Sequence, residues 1–319
     1  MPSIGIDADR IDAGGMDTGG MDTKELLRLL PKVLRARDFH LYLENGKRLT
    51  DLWLQGGRAV LGHKPPKVTG ELKNAAERGL FSPLPHPMER RFLKALEAFF
   101  PGRAFRLYPD ETSLRLALAE AGFVVNNALD PAFPHAGFNT SGHGPVDGQS
   151  ADNSANVFIW RPFLEPPEKP SLETETAPDA CAKEGEASIL IPVLPWPPGP
   201  AVLVLDKSHE ASFPPGELIA PVLLAPAARA LYDLAAALKA NTRNGRQFPK
   251  IGRALKDSLW HRRGIYLSAG QETSSDKYED LFRRFLESGF LIPPSRAEPL
   301  ILPASMSAGE ETKLAQLLG

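Results

Sequence analysis

Two apolar runs set close together, Ser188 to Leu194 and Ala201 to Leu205, constrain this chain more than any other feature. Neither alternates with polar residues, so each has to be covered on both faces. The segment Trp-Pro-Pro-Gly-Pro at 196–200 breaks the chain between them. Strands of this kind belong in the middle of a sheet flanked by helices, here read as mainly parallel, and they predict an α/β chain. The stretch from Ile189 to Leu205 carries five Pro and a Gly, which makes it a poor spanning helix.

Composition narrows the function classes. Apolar residues make up 42% of the chain, enough for a sizeable core. The 37 Lys plus Arg stand against 39 Asp plus Glu, a net charge of −2, so the basic excess that a nucleic-acid surface needs is missing. A single cysteine, Cys181, rules out an internal disulfide framework. The first 25 residues hold no apolar signal region, and the expectation is a cytoplasmic protein that binds neither nucleic acid nor membrane.

Along the chain, residues 1–22 carry the echo GGMDTGGMDT and read as a flexible tail. Thr23 caps a short helix that stops at Pro31. Residues 39–53 alternate apolar and polar positions around Asn45-Gly46, the signature of a hairpin with a type I′ turn. Helical spacing begins at Pro65 and again near Met88, where Phe92, Leu96 and Phe99 share a face before Pro101 and Gly102. A strand over Phe105 to Tyr108 then feeds the helix LRLALAEAG, ended by Gly122, as in a βα unit. Residues 126–187 are rich in Pro, Asn, Ser, Gly and Glu and read as loop, with disorder expected near 165–187 and one strand at Val157 to Trp160. A third apolar run, Leu218 to Leu224, reads as a strand before a helix through Ala227 to Leu238. YEDLFRRFLESG forms an amphipathic helix ended by Gly289.

Several of these segments resemble the class III aminotransferases of the pyridoxal phosphate (PLP) fold type I group, in particular the glutamate-1-semialdehyde aminomutase branch. ENGKRLTDLWLQGGRAVLGHKPPKV at 44–68 is similar to that family's hairpin and its "GH-x-x-P-x-V" segment, here Gly62, His63, Pro66 and Val68. Pro87 and Glu89 sit as in its "P-x-E" helix start, and residues 278–311 resemble its final helix, strand, "PPS" turn and closing helix. The resemblance implies a PLP-transferase-like fold: a reduced, mainly parallel sheet domain and a small α+β domain built from both chain ends. It divides the chain into the tail 1–22, the N-terminal part of the small domain at 23–80, the sheet domain at 81–232 and the C-terminal part of the small domain at 233–319. It also implies a homodimer and an amine or amino acid as ligand.

PLP chemistry requires a Schiff-base lysine, an acid on the pyridine nitrogen, an aromatic over the ring and amides around the phosphate. At the family's Ser-Gly-Thr phosphate turn this chain has Pro109-Asp110-Glu111, which lacks a donor and adds two carboxylates. The family's "YHG-x-x-D" segment is similar to Gly142-His143-Gly144-Pro145-Val146-Asp147, with Gly142 in place of the ring-stacking aromatic and His143 and Gly144 as candidate ligand contacts. Val202 to Lys207 resembles the strand ending in "DE", which makes Asp206 the acid that holds the pyridine nitrogen, while the lysine-bearing segment is missing. A second register makes Lys207 the Schiff-base lysine and loses the aspartate. The histidine spacing fits no zinc pattern.

The chain is shorter than the family's members, and the flanking matches place the loss in the sheet domain. Three functional expectations follow. The first is a catalytically degenerate aminotransferase-like protein without cofactor and with a binding or regulatory role. The second is a reduced but active PLP enzyme using Lys207. The third is an interaction protein presenting its Pro-rich middle.

Overall fold

The computed structural model describes residues 23–123, 128–133, 157–165, 188–240, 247–269 and 275–319. Three sheets organise them. The first begins with β1 (Val33–Arg37), β2 (His40–Leu43) and β3 (Arg48–Asp51) as an antiparallel meander, and β10 (Phe290–Leu291) joins β3 in parallel from the other end of the chain. The hairpin stands where the alternation places it, but its turn is not type I′. Gly46 has φ +78° while Asn45 stays at negative φ, so the tip is a longer loop closed by Gly46 N–H on Leu43 O and Lys47 N–H on the Asn45 side chain.

The second sheet is β11 (Leu300–Ile301), β9 (Tyr266–Ala269) and β8 (Trp260–Arg263). These two sheets share one core with α1 (Thr23–Arg28), α6 (Pro249–Ala254), α7 (Ser275–Glu287) and α8 (Ala308–Leu318), in which Leu41, Leu49, Ile251, Phe282, Phe285, Tyr266 and Ile301 are buried together. Both ends of the chain therefore build a single α+β unit.

One pin between them is Glu310 in the first turn of α8. It closes a capping box with Ser307 and accepts hydrogen bonds from Thr50 (3.0 Å), Arg48 (2.9 Å) and His40 (3.1 Å). Burial pushes its carboxyl up, but the bonds from Ser307, Thr50 and His40 outweigh this and hold it down at about 2. A depressed folded value means that the stability is present above the unfolded carboxyl range, near about pH 4.3, and is lost as pH falls further. Glu310→Gln is expected to melt below wild type at neutral pH, with the gap closing as pH falls towards about 2. A gap independent of pH in thermal melts would refute this.

The third sheet runs β4 (Ala104–Tyr108), β7 (Ala201–Leu205), β6 (Ile189–Pro192), β5 (Val157–Trp160). Its two faces bury separate clusters. Val202 and Val204 point to one with Phe92, Leu96 and Leu231, and Ala201, Leu203 and Leu205 to the other with Leu114 and Leu118. This is the two-sided burial expected of an apolar run without alternation. Helices α2 (Pro66–Glu77), α3 (Pro87–Glu97) and α5 (Pro221–Lys239) cover one face, and α4 (Glu111–Glu120) packs on β4 and β7 at the other.

Two expectations need correction here. The sheet is not mainly parallel by pairing: β4–β7 and β6–β7 are antiparallel and only β5–β6 is parallel, although β4, β5 and β6 all point the same way. A short connection through 193–200 cannot hold the crossover that parallel neighbours need, so β7 must run back along β6. No strand forms over Leu218 to Leu224; Leu218 is exposed and Pro221 opens α5 instead. Val68 and Leu72 of α2 pack in the core under α3 and α5. Helix α5 is long and apolar enough by composition to cross a bilayer, but half of it is buried in the protein, with Leu224 to Leu231 in the sheet-domain core and Leu234 in the other.

Candidate functional site

In α/β sheets, ligands gather beyond the carboxyl ends of co-directed strands. Three strands end at one edge here: β4 leads to Asp110-Glu111, β5 to Arg161 and β6 to Val193. Above that edge lies the turn after β3, and the junction is built around Arg161. Its Nε donates to both carboxylate oxygens of Asp130 at 2.9 Å and its Nη2 to Asp130 Oδ2 at 2.6 Å. Its Nη1 donates to the Gly56 carbonyl at 3.0 Å, and the guanidinium lies 5.5 Å from the centre of the Tyr266 ring. Burial works against its charge, yet Asp130 outweighs burial and raises its pKa. Arg161 thus ties the sheet edge to both chain ends.

The turn it holds is strained. Leu54, Gln55, Gly56 and Gly57 all have positive φ, at +48°, +53°, +68° and +102°. Leu54 and Gln55 carry the steric cost of that region, of order 1 kcal/mol each. Buried Asp51 fixes the entry by accepting the amides of Trp53 (2.8 Å) and Leu54 (2.9 Å) and pairing with His63 at 2.9 Å. Gly57 suits the turn by its φ of +102°, and a Cβ there would also press on Val193 Cγ1 at 3.2 Å. The Trp53 indole donates to Glu298 Oε2 at 2.5 Å. Burial raises the Glu298 pKa, partly offset by that bond and by Arg161. Arg58 pairs with Glu111 at the start of α4.

The residues expected to hold a cofactor do not meet here. Because β7 runs backwards, Asp206 and Lys207 stand at the opposite edge of the sheet, beside the start of β4. Asp206 pairs with Arg103 at 2.8 Å, and Lys207 is exposed in a short 3-10 turn. His143 and Gly144 lie outside the described residues.

The carboxyl-end edge does not fit PLP in its described residues. The amide of Ser113 at the head of α4 is capped by the Asp110 carboxylate at 2.8 Å, and Glu111 adds a second negative charge where a phosphate dianion would approach. A permanently charged arginine closed on Asp130 cannot take the place of an acid on the pyridine nitrogen. No lysine joins this network among the described residues. Nor is any group of three or more His, Cys, Asp or Glu placed to hold a metal among them.

Sequence reasoning missed Asp130, Arg161, Trp53 and Glu298. Trp53 and Glu298 carried a signal, as parts of the matched segments at 44–68 and 278–311, whereas Asp130 and Arg161 carried none.

No family model matches the chain. An uncharacterized protein of Treponema pallidum is 26% identical over 323 residues, covering 88% of this chain and 91% of that one. Another from Borreliella burgdorferi is 37% identical over 93 residues, 28% of this chain and 35% of that one. Among solved structures, ornithine aminotransferase of Plasmodium yoelii aligns with TM-score 0.56 and 14% identity over 90% of this chain and 92% of its own. An omega-transaminase from Sphaerobacter thermophilus gives 0.57 and 12%, over 95% and 97%. Serine palmitoyltransferase from S. paucimobilis, with a PLP–myriocin aldimine bound, gives 0.60 and 11%, over 95% and 93%. The chain therefore shares its fold with these PLP-dependent transferases.

Proposed function

We propose that this chain is an aminotransferase-like protein that keeps the fold, works without PLP and serves a binding or regulatory role as a cytoplasmic homodimer, with a small amine or amino acid as the ligand class. The observation that carries this reading is the Arg161–Asp130 pair, whose side chains are only 5% and 3% exposed, at the sheet edge where an α/β fold binds its ligand. A chain that fills this edge with an internal ion pair has exchanged a cofactor contact for a structural one. The fold alone does not decide chemistry, because one scaffold hosts many sites.

The test is the visible spectrum of the purified protein with and without added PLP, together with its melting temperature. The expected result is a colourless protein whose midpoint does not move, since a ligand bound only by the native state must raise it. A visible band that vanishes in Lys207→Ala would overturn this reading in favour of a reduced active enzyme. Sedimentation of the same sample weighs the particle, and a monomer would refute the homodimer.

A further inference from the structure

Helices α2, α3 and α5 bury Val68, Phe92, Leu96, Leu224 and Ala228 almost completely, yet their contact opens at one place. Ala75 of α2 and Pro221 and Ala225 of α5 are too short to close it, and with Leu80 and Met88 they floor a hollow of about 180 Å³. That is room for about six waters at about 30 Å³ each. Drug-sized ligands take pockets of about 300 Å³ and more, so only a small molecule fits.

The polar wall of the hollow is ordered. Glu71, Asn74 and Arg78 stand at i, i+3 and i+7 along α2 and its C-terminal cap, so acid, amide and guanidinium follow one another on one face. Arg91 of α3 closes the acid end, with its Nη2 3.3 Å from Glu71 Oε1 and its Nη1 4.0 Å from Met88 Sδ. Among the described residues that long contact leaves Glu71 Oε2 without a donor, and the side chains of Asn74 and Arg78 have no polar partner.

We propose that this hollow binds a small aliphatic α-amino acid, which rests on the ligand class inferred above and places it away from the sheet edge. The ammonium group donates to the free oxygen of Glu71. The carboxylate accepts from the Asn74 amide and the Arg78 guanidinium, and the aliphatic side chain covers Ala75, Pro221 and Ala225. Each charge of the zwitterion then meets its opposite in the order that α2 presents them. Arg91 is a positioning residue: it orients Glu71 from the other side, and a pair 36% and 25% exposed at 3.3 Å holds the acid only loosely. A plain amine or a plain carboxylate uses only half of this wall.

Calorimetric titration of the full chain compares L-leucine with isocaproate, which is leucine without its amino group. Wild type is expected to bind leucine about tenfold more tightly than isocaproate. Glu71→Gln should remove that preference, and Arg78→Gln should weaken both ligands by about tenfold. Arg78 is exposed and Glu71 only half-buried, so neither variant opens the core. No leucine binding up to about 10 mM would overturn the proposal, as would a preference for leucine that survives Glu71→Gln. So would a leucine affinity unchanged by Arg78→Gln, which would place the ligand elsewhere. Failure of the titration with a colourless protein strikes this pocket and leaves the cofactor-free reading standing. A visible band that depends on Lys207 strikes that reading and leaves the titration unchanged.

Discussion

Arg161→Ala is expected to destabilise the protein by about 3–5 kcal/mol, because it leaves the Asp130 carboxylate buried without its cation. The two side chains are 5% and 3% exposed and share three hydrogen bonds, so water cannot take over the role of the guanidinium. The substitution also frees the Gly56 carbonyl and so loosens the strained turn. Urea unfolding at neutral pH measures the loss. Replacing both partners with apolar residues, as in Arg161→Met with Asp130→Leu, should recover most of it, since a buried pair as a whole contributes little net stability. If the single variant loses less than about 1 kcal/mol, the pair is exposed to water and the site is more open than the geometry shows.

Gly264→Ala should have a comparable effect for a steric reason. Gly264 turns the chain between β8 and β9 at φ +60°, and a Cβ there would lie 2.4 Å from the Phe163 carbonyl oxygen and 3.2 Å from the Glu165 amide nitrogen. That backbone cannot retreat. Arg263 holds the Glu165 carbonyl at 2.9 Å and 3.2 Å and also bonds the Pro131 carbonyl, while the Tyr266 hydroxyl holds the Pro162 carbonyl at 2.7 Å. The left-handed backbone costs about 1–2 kcal/mol for alanine and the overlap adds to it, for a loss of about 3 kcal/mol or more. Since residues 161–165 carry Arg161, the ion pair should be disturbed with them. Gly70→Ala serves as the contrast: the site in α2 is open space, and filling it should stabilise by about 0.5–1 kcal/mol. Equal melting temperatures for the two variants would show that the β8–β9 turn is not packed against 163–165.

Local signals in this chain were strong where one element decides its own form. The 45–46 hairpin, the α3 face of Phe92 and Leu96, the β4–α4 unit and the Gly289 stop are all readable from spacing, because burial of one face at a fixed period is a local demand. Two-sided burial of β6 and β7 was readable for the same reason. Their relative direction also left a mark, the short connection through the Pro-rich 193–200, yet apolar content alone does not distinguish parallel from antiparallel strands. That one reversal moves Asp206 and Lys207 to the far edge of the sheet and leaves Arg161 at the near one.

The sequence by itself determined most of the element types and the two-faced burial of the sheet, though not that Pro221 opens a helix where a strand was read. The tertiary structure alone decided the candidate site. Arg161 meets Asp130 across 31 positions and Gly56 across 105, and Trp53 meets Glu298 across 245. No periodicity runs over such distances; a charge finds its partner only after the strands have fixed which ends of the sheet face each other.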